Sequence, residues 1–189
     1  YMSLIQKGTQ SLLNSGLVVT IHLVVLFISS RIQKRFYTYT VGKTAKKVGS
    51  NLFVGGRSQV TDSTVLGNNV NFNGMRVHGR GNLVIGDNFH SGVECLVVTQ
   101  NHNYDYGAKI TYDSTIIEKP VRINDNVWIG SRVTILPGVT IGEGAIIQGG
   151  STVTTDIPKG AIAGGHPAEV FDHRDMDHYS QLKSENKFH

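Results

Sequence analysis

Cysteine is almost absent. Cys95 is the only one in 189 residues, which excludes an intrachain disulfide and any CxxC metal site and points to a reducing, cytoplasmic setting. Charge is scarce as well, at 17% of residues with a formal net charge of +4. Apart from a cluster near the N-terminus, the basic residues form no stripe interleaved with aromatics, so nucleic acid is not an expected partner. The apolar run GLVVTIHLVVLFIS at 16–29 is interrupted by Thr20 and His22. It is shorter than the roughly 20 residues that span a bilayer, and no A-x-A-like cleavage site follows it. What the chain does have is glycine, 22 of them, beside an ordinary 39% of hydrophobic residues. That excludes disorder on one side. It also excludes a helix bundle, because a glycine inside a helix costs about 1 kcal/mol.

The N-terminal run carries two readings. One is a helix docked on the domain or on a neighbouring subunit, with its apolar stripe buried. The other is a helix lying on a membrane surface, with Arg31, Lys34 and Arg35 at lipid phosphates and Phe36, Tyr37 and Tyr39 in the interface.

A repeat of six decides the fold. Val48, Val54, Val60, Leu66 and Phe72 are six apart. After a one-residue slip near GMRVHG, Ile85, Ser91 and Val97 keep the step, and Ile117, Ile123, Ile129, Ile135, Ile141, Ile147 and Val153 resume it. Four places after each late marker stands a second inward candidate: Val121, Val127, Val133, Val139, Ala145 and Ser151. Helical geometry, at 3.6 residues per turn, would smear a strict period of six around the axis. A flat antiparallel sheet would need alternation of two with turns at wider spacing. Six therefore reads as a short strand plus a corner, and three such units as one triangular coil. The polar stretch DHRDMDHYSQLKSENKF at 172–188 reads as a helix after the last coil.

The run PVRINDNVWIGSRVTILPGVTIGEGAIIQGGSTVTTDIPKGAIAGGHPAEVF resembles the hexapeptide-repeat acyltransferases. Within them it is most similar to the galactoside, maltose and streptogramin O-acetyltransferases and the capsule or exopolysaccharide O-acetyltransferases. The resemblance implies an all-β solenoid, a left-handed parallel β-helix, although the usual crossover rule favours the opposite hand. The expected organisation is a helical capping segment at 1–47, the β-helix at 48–171 with a loop at about 98–116, and a helical tail at 172–189. It also implies a homotrimer with active sites between subunits and acetyl-CoA as co-substrate, with no metal required.

The one break in the repeat is VVTQNHNYDYGAK, and the resemblance places a general base there, His102. A neutral imidazole would take the proton of an acceptor hydroxyl attacking the thioester. For the donor, VWIGS puts Trp128 and Ser131 near the pantetheine arm, IQGGS puts Gly149 beside it, and STVTTDIPKG adds Thr154 and Lys159. Some relatives carry Lys or Arg where this chain has Thr155 and Asp172; Arg174 is the substitute. On the acceptor side the candidates are Asn71, Asn73, Arg76, His78, Asn82 and Glu94, with Tyr104 and Tyr106 as ring faces for a pyranose.

Other residues compete with this assignment. His78, His90 and His102 are twelve apart, but coils stack every eighteen residues, so they fall on different corners and make no metal column. The only H-x4-H pair, His173 and His178, sits in the polar tail rather than on a coil. Cys95 takes an inward position and reads as core rather than nucleophile. The expected function is O-acetylation of a saccharide, with peripheral membrane contact if the N-terminal helix supplies it. N-acylation of an amino sugar-nucleotide and a non-enzymatic assembly solenoid stay open as alternatives.

Overall fold

The computed structural model describes residues 19, 20, 23, 28 and 30–189, so the expectation for 16–29 falls largely outside the described residues. Among the described residues no helix is long and apolar enough to cross a membrane. The chain divides into two compact units, Tyr1–Phe36 and Tyr37–His189. Helix α1 covers 30–44. In the first unit its Ile32 and Phe36 are exposed. In the second unit its Val41 is buried, and the Thr38 hydroxyl accepts the Val54 N–H at 3.0 Å.

Sixteen short strands follow: β1 (Lys47–Val48), β2 (Phe53–Gly56), β3 (Thr64–Leu66), β4 (Asn71–His78), β5 (Leu83–Ile85), β6 (His90–Val98), β7 (Gln100–His102), β8 (Ile116–Glu118), β9 (Val121–Ile123), β10 (Trp128–Ile129), β11 (Thr134–Ile135), β12 (Thr140–Ile141), β13 (Ile146–Ile147), β14 (Thr152–Val153), β15 (Ala161–Gly164) and β16 (Glu169–His173). Helix α2 (Met176–Ser184) comes last. Strands β1, β3, β5, β9 and β12 stack in parallel as one face, which we call face I, and Ile157 extends it by a bridge to Ile141. Strand β6 pairs β10 through His90 and Ser91 but β11 through Leu96 and Val97. One strand therefore rounds a corner and feeds two faces, II and III. The result is a three-faced parallel β-helix.

The markers of six point inward, as their spacing requires. Leu66, Phe72, Ile85, Ile123, Ile129, Ile135, Ile141 and Ile147 are all buried, each stacked on its equivalent in the coils above and below. Burial of each such side chain stabilises by about 1.5–3 kcal/mol. The second inward set from Val121 to Ser151 is buried too. Ile117 is a correction: it lies on β8, outside the coils and 36% exposed, so its place in the series of six is coincidental. The slip near GMRVHG has a local cause. Phe72 and Val77, both inward, are five apart, and the corner GRGN that follows brings Leu83 and Ile85 back to the inside.

The corner between faces I and II carries a second pattern beside the period of six. After each face I strand, the residue that turns the corner has positive φ: Asn51 (57°), Asn69 (53°), Asn88 (55°), Asn126 (60°), then Gly144 (71°) and Gly160 (67°). Asparagine tolerates this left-handed region because its short amide can bond locally. The amides also link the coils. Asn69 Nδ2 donates to Asn88 Oδ1 at 3.0 Å, and Asn88 Nδ2 donates to Asn126 Oδ1 at 2.9 Å. Asn126 Nδ2 then donates to the Tyr179 hydroxyl of α2 at 2.8 Å. Glycine replaces asparagine at this point because a Cβ on Gly144 would sit 3.0 Å from the Tyr179 ring. Removing two side chains makes the seat for α2.

Candidate active site

The break in the repeat is a hairpin thrown out between faces III and I. Thr99, fully buried, is the last coil residue, and the chain returns where Lys119 N–H bonds to Thr99 O at 2.9 Å. Strands β7 and β8 pair antiparallel, with Gln100, Asn101 and His102 opposite Glu118, Ile117 and Ile116. The excursion thus covers 100–118 rather than the expected 98–116, and its base is ordered by strand pairing. Its tip is ordered by side chains. The Asp113 carboxylate accepts the N–H groups of Ala108 (2.9 Å) and Thr115 (2.8 Å), and those backbone donors hold its pKa below the usual range. Asn101 Oδ1 accepts the His102 N–H at 3.0 Å, and Asn103 Oδ1 accepts that of Tyr106 at 3.2 Å.

His102 is exposed, with its ring stacked on Tyr112 at 3.9 Å between centroids and 18° between planes. The stack fixes the plane of the imidazole and leaves its edge, where both nitrogens lie, available. Tyr104 and Tyr106 stand exposed on the same tip. A cleft of about 160 Å³ beside them is lined by residues 101–106, Ile117 and Lys119. Such a group can accept a proton from a hydroxyl presented to it.

Among the donor candidates Ser131 and Gly149 come together, while Trp128 and Arg174 line one cleft beside α2. Trp128 projects outward from face II on β10, about half exposed. Ser131 follows at the corner between faces II and III, where its Oγ accepts the Val93 N–H at 3.2 Å. Gly149 lies against it in the next coil, and Gly150 N–H bonds to Ser131 O at 2.7 Å. Thr154 and Lys159 lie elsewhere. Thr154 is exposed beyond face III. Lys159 sits at the corner between faces I and II, ion-paired with Glu143 at 3.0 Å. Arg174 donates Nε–H to Gly144 O at 2.6 Å and lies 5.8 Å over the Tyr179 ring.

The acceptor candidates are spread along the early coils. Asn71 and Asn73 lie on β4 in face II, where Asn73 Nδ2 donates to Ser91 O at 3.0 Å. Arg76 and His78 are exposed on face III, and Asn82 is exposed at the corner above the hairpin. Glu94, at positive φ, pairs with Arg132 Nε of the next coil at 2.8 Å. Cys95 is buried in the core, and burial pushes its thiol up, away from the thiolate a nucleophile needs.

Sequence reasoning gave little weight to two features. His90 stands beside Trp128 in register on face II, and its Nε2 is buried without a partner. Glu143 collects Lys159, Lys183 and the Tyr179 hydroxyl (2.9 Å). Burial pushes the Glu143 carboxyl up, but the hydrogen bonds from Lys183, Lys159 and Tyr179 outweigh it and bring the pKa down to about 2. The signal for the second was the change from Asn to Gly in LGNN, IGDN, INDN, IGEG and IPKG.

Comparison with known proteins agrees with this architecture. Residues 120–155 match the family model described as bacterial transferase hexapeptide (six repeats). A protein of Schizosaccharomyces pombe named as a candidate acetyltransferase is 44% identical over 89 residues, 46% of this chain and 41% of that protein. The chain thus spans less than half the length of that relative. A hexapeptide-repeat acetyltransferase of Vibrio cholerae, solved with acetyl coenzyme A, aligns over 70% of this chain and 73% of its own at 26% identity, with a TM-score of 0.57. A galactoside acetyltransferase solved with coenzyme A aligns over 70% of this chain and 67% of its own at 32% identity, with a TM-score of 0.61. With its coils, corners and repeats matching over that extent, the chain belongs to the hexapeptide-repeat acetyltransferase family and has its left-handed parallel β-helix.

Proposed function

We propose that the protein is an acetyl-CoA-dependent O-acetyltransferase acting on a saccharide hydroxyl, with His102 as general base. The observation that carries the reading is the placement of His102: an imidazole held flat against Tyr112, on the one hairpin that leaves the coils, flanked by exposed tyrosines. Acetyl-CoA supplies the activated acyl group as a thioester. The imidazole takes the hydroxyl proton as the acceptor oxygen attacks the thioester carbonyl. The tetrahedral adduct collapses, and the imidazolium returns the proton to the departing thiolate. No acyl-enzyme is needed, in keeping with the buried Cys95.

The hairpin leaves between faces III and I, whereas Ser131 and Gly149 turn the corner between II and III. A homotrimer, in which one protomer's hairpin reaches the donor corner of the next, would unite them. The hydrogen-bonding side chains Asn71, Asn73, Arg76, Asn82 and Glu94, with Tyr104 and Tyr106, suit a polyhydroxylated acceptor better than an apolar one. The test is thiol release from acetyl-CoA over a panel of mono- and oligosaccharides. Turnover with one sugar class should fall by about 10²-fold or more in His102→Ala. Full activity in that variant, or failure of the wild type to bind acetyl-CoA, would overturn the proposal.

A further inference from the structure

The N-terminal segment has no part in acyl transfer, and its charge is one-sided. Before Asp62 stand eight lysines and arginines and no acidic residue, whereas residues 62–189 carry ten basic and fourteen acidic side chains. The modest net charge of +4 therefore joins a basic segment to a mildly acidic domain. Arg31, Lys34 and Arg35 fall within five residues, and Lys43, Lys46, Lys47 and Arg57 follow them. Ahead of Arg31 the character changes: from Gly8 to Ser30 there is no Asp, Glu, Lys or Arg.

The helical residues show where the apolar side chains go. Ile28, Ile32 and Phe36 are spaced by four, the step that returns to one side of a helix, and each is more than half exposed. Val19 and Leu23, also helical and four apart, are exposed to a similar degree. Arg31 and Arg35 stand three residues on from Ile28 and Ile32, so they border the apolar row, and they are exposed too. A row of large aliphatic and aromatic side chains turned to water marks an interaction surface.

Its charge selects the occupant. A second copy of the same segment would bring its own Arg31 and Arg35 against these, with no acidic residue before Asp62 on either copy to offset them. An anionic lipid surface removes that conflict, because the apolar row enters the acyl boundary while the cations lie at the headgroup phosphates. We propose that the unit ending at Phe36 docks the protein on the surface of an anionic bilayer. Ile28, Ile32 and Phe36 sit in the acyl boundary, and Arg31, Lys34 and Arg35 meet the phosphates. This goes beyond the acyl-transfer reading and does not depend on it.

The full chain is sedimented with vesicles of phosphatidylcholine alone and with vesicles in which about one lipid in three is phosphatidylserine. Binding to the anionic vesicles should be about tenfold tighter or more. It should weaken as salt rises from about 0.1 M to about 1 M, where the screening length falls to about 3 Å. Replacing Arg31, Lys34 and Arg35 together by glutamine should weaken it by about 10²-fold, since each such charge is worth about fivefold at an anionic surface. Ile32→Glu combined with Phe36→Glu should weaken it by at least about tenfold. Both side chains are exposed, so the melting temperature of that variant should not change. Absence of binding, equal binding to the two vesicle types, or full binding by either variant would overturn the proposal. So would a smaller assembly for the glutamate variant in sedimentation velocity without vesicles, since a second copy would then cover the row. Thiol release from acetyl-CoA is measured separately, without vesicles, so failure of either reading leaves the other standing.

Discussion

Substituting alanine at Gly144 and at Gly150 separates backbone strain from the seating of α2. Both glycines sit in the left-handed region, at φ 71° and 76°. A Cβ at Gly150 would meet nothing within 4 Å, whereas one at Gly144 would lie 3.0–3.1 Å from the Tyr179 ring. Gly150→Ala therefore costs the left-handed strain alone, about 1–2 kcal/mol. Gly144→Ala costs the same strain and also pushes Tyr179 away from Asn126 (2.8 Å) and Glu143 (2.9 Å). Two lost hydrogen bonds at about 1 kcal/mol each bring the total to about 3–4 kcal/mol. Urea unfolding at matched protein concentration, followed by Trp128 emission and far-ultraviolet circular dichroism, measures both. A double-mutant cycle with Tyr179→Ala completes the test. In that background Gly144→Ala should cost no more than Gly150→Ala does. Equal costs for the two glycines in the wild-type background, or an unchanged Gly144 cost without the tyrosine ring, would refute the reasoning.

Other outcomes follow from the same structure. Ile135 is fully buried, and Ile135→Ala should lose about 2–5 kcal/mol. Ile117→Ala, on the hairpin, should stay within about 0.5 kcal/mol of wild type in the same urea titrations. Glu143 titrates at about 2 rather than its ordinary 4.5, so its bonds stabilise the fold fully above pH 4.5 and that contribution fades as pH falls toward 2. Glu143→Gln should therefore be less stable than wild type at pH 6–7, and the gap should close on acidification. A gap independent of pH would show that Lys183 and Lys159 contribute nothing through the carboxylate. Cys95 should resist a disulfide reagent in the native protein and react at once in denaturant, because its thiol is buried and raised in pKa.

The series of six determined the coil by itself. Ile123, Ile129, Ile135, Ile141 and Ile147 point inward because a short strand and a corner return the chain to the same side every six residues. That information is periodic and local, so one dimension is enough to hold it. The break at TQNHNYDYG was legible for the same reason, since an interruption is visible against a regular background. Ile117 marks the limit: it keeps the step of six, yet it pairs with Asn101 across the hairpin, and only the pairing of β7 with β8 removes it from the core. The tertiary structure also decided which side chains share a corner. Ser131 and Gly149 meet because consecutive coils stack, while Trp128 and Arg174, far apart in sequence, line one cleft beside α2. The asparagines at 69, 88 and 126 form a ladder that ends on Tyr179, far along the chain from all three. Periodicity settles which residues face in. Contacts between distant coils, the hairpin and the helix are set by packing in three dimensions, and they decided where His102, the donor corner and the cleft beside Trp128 would stand.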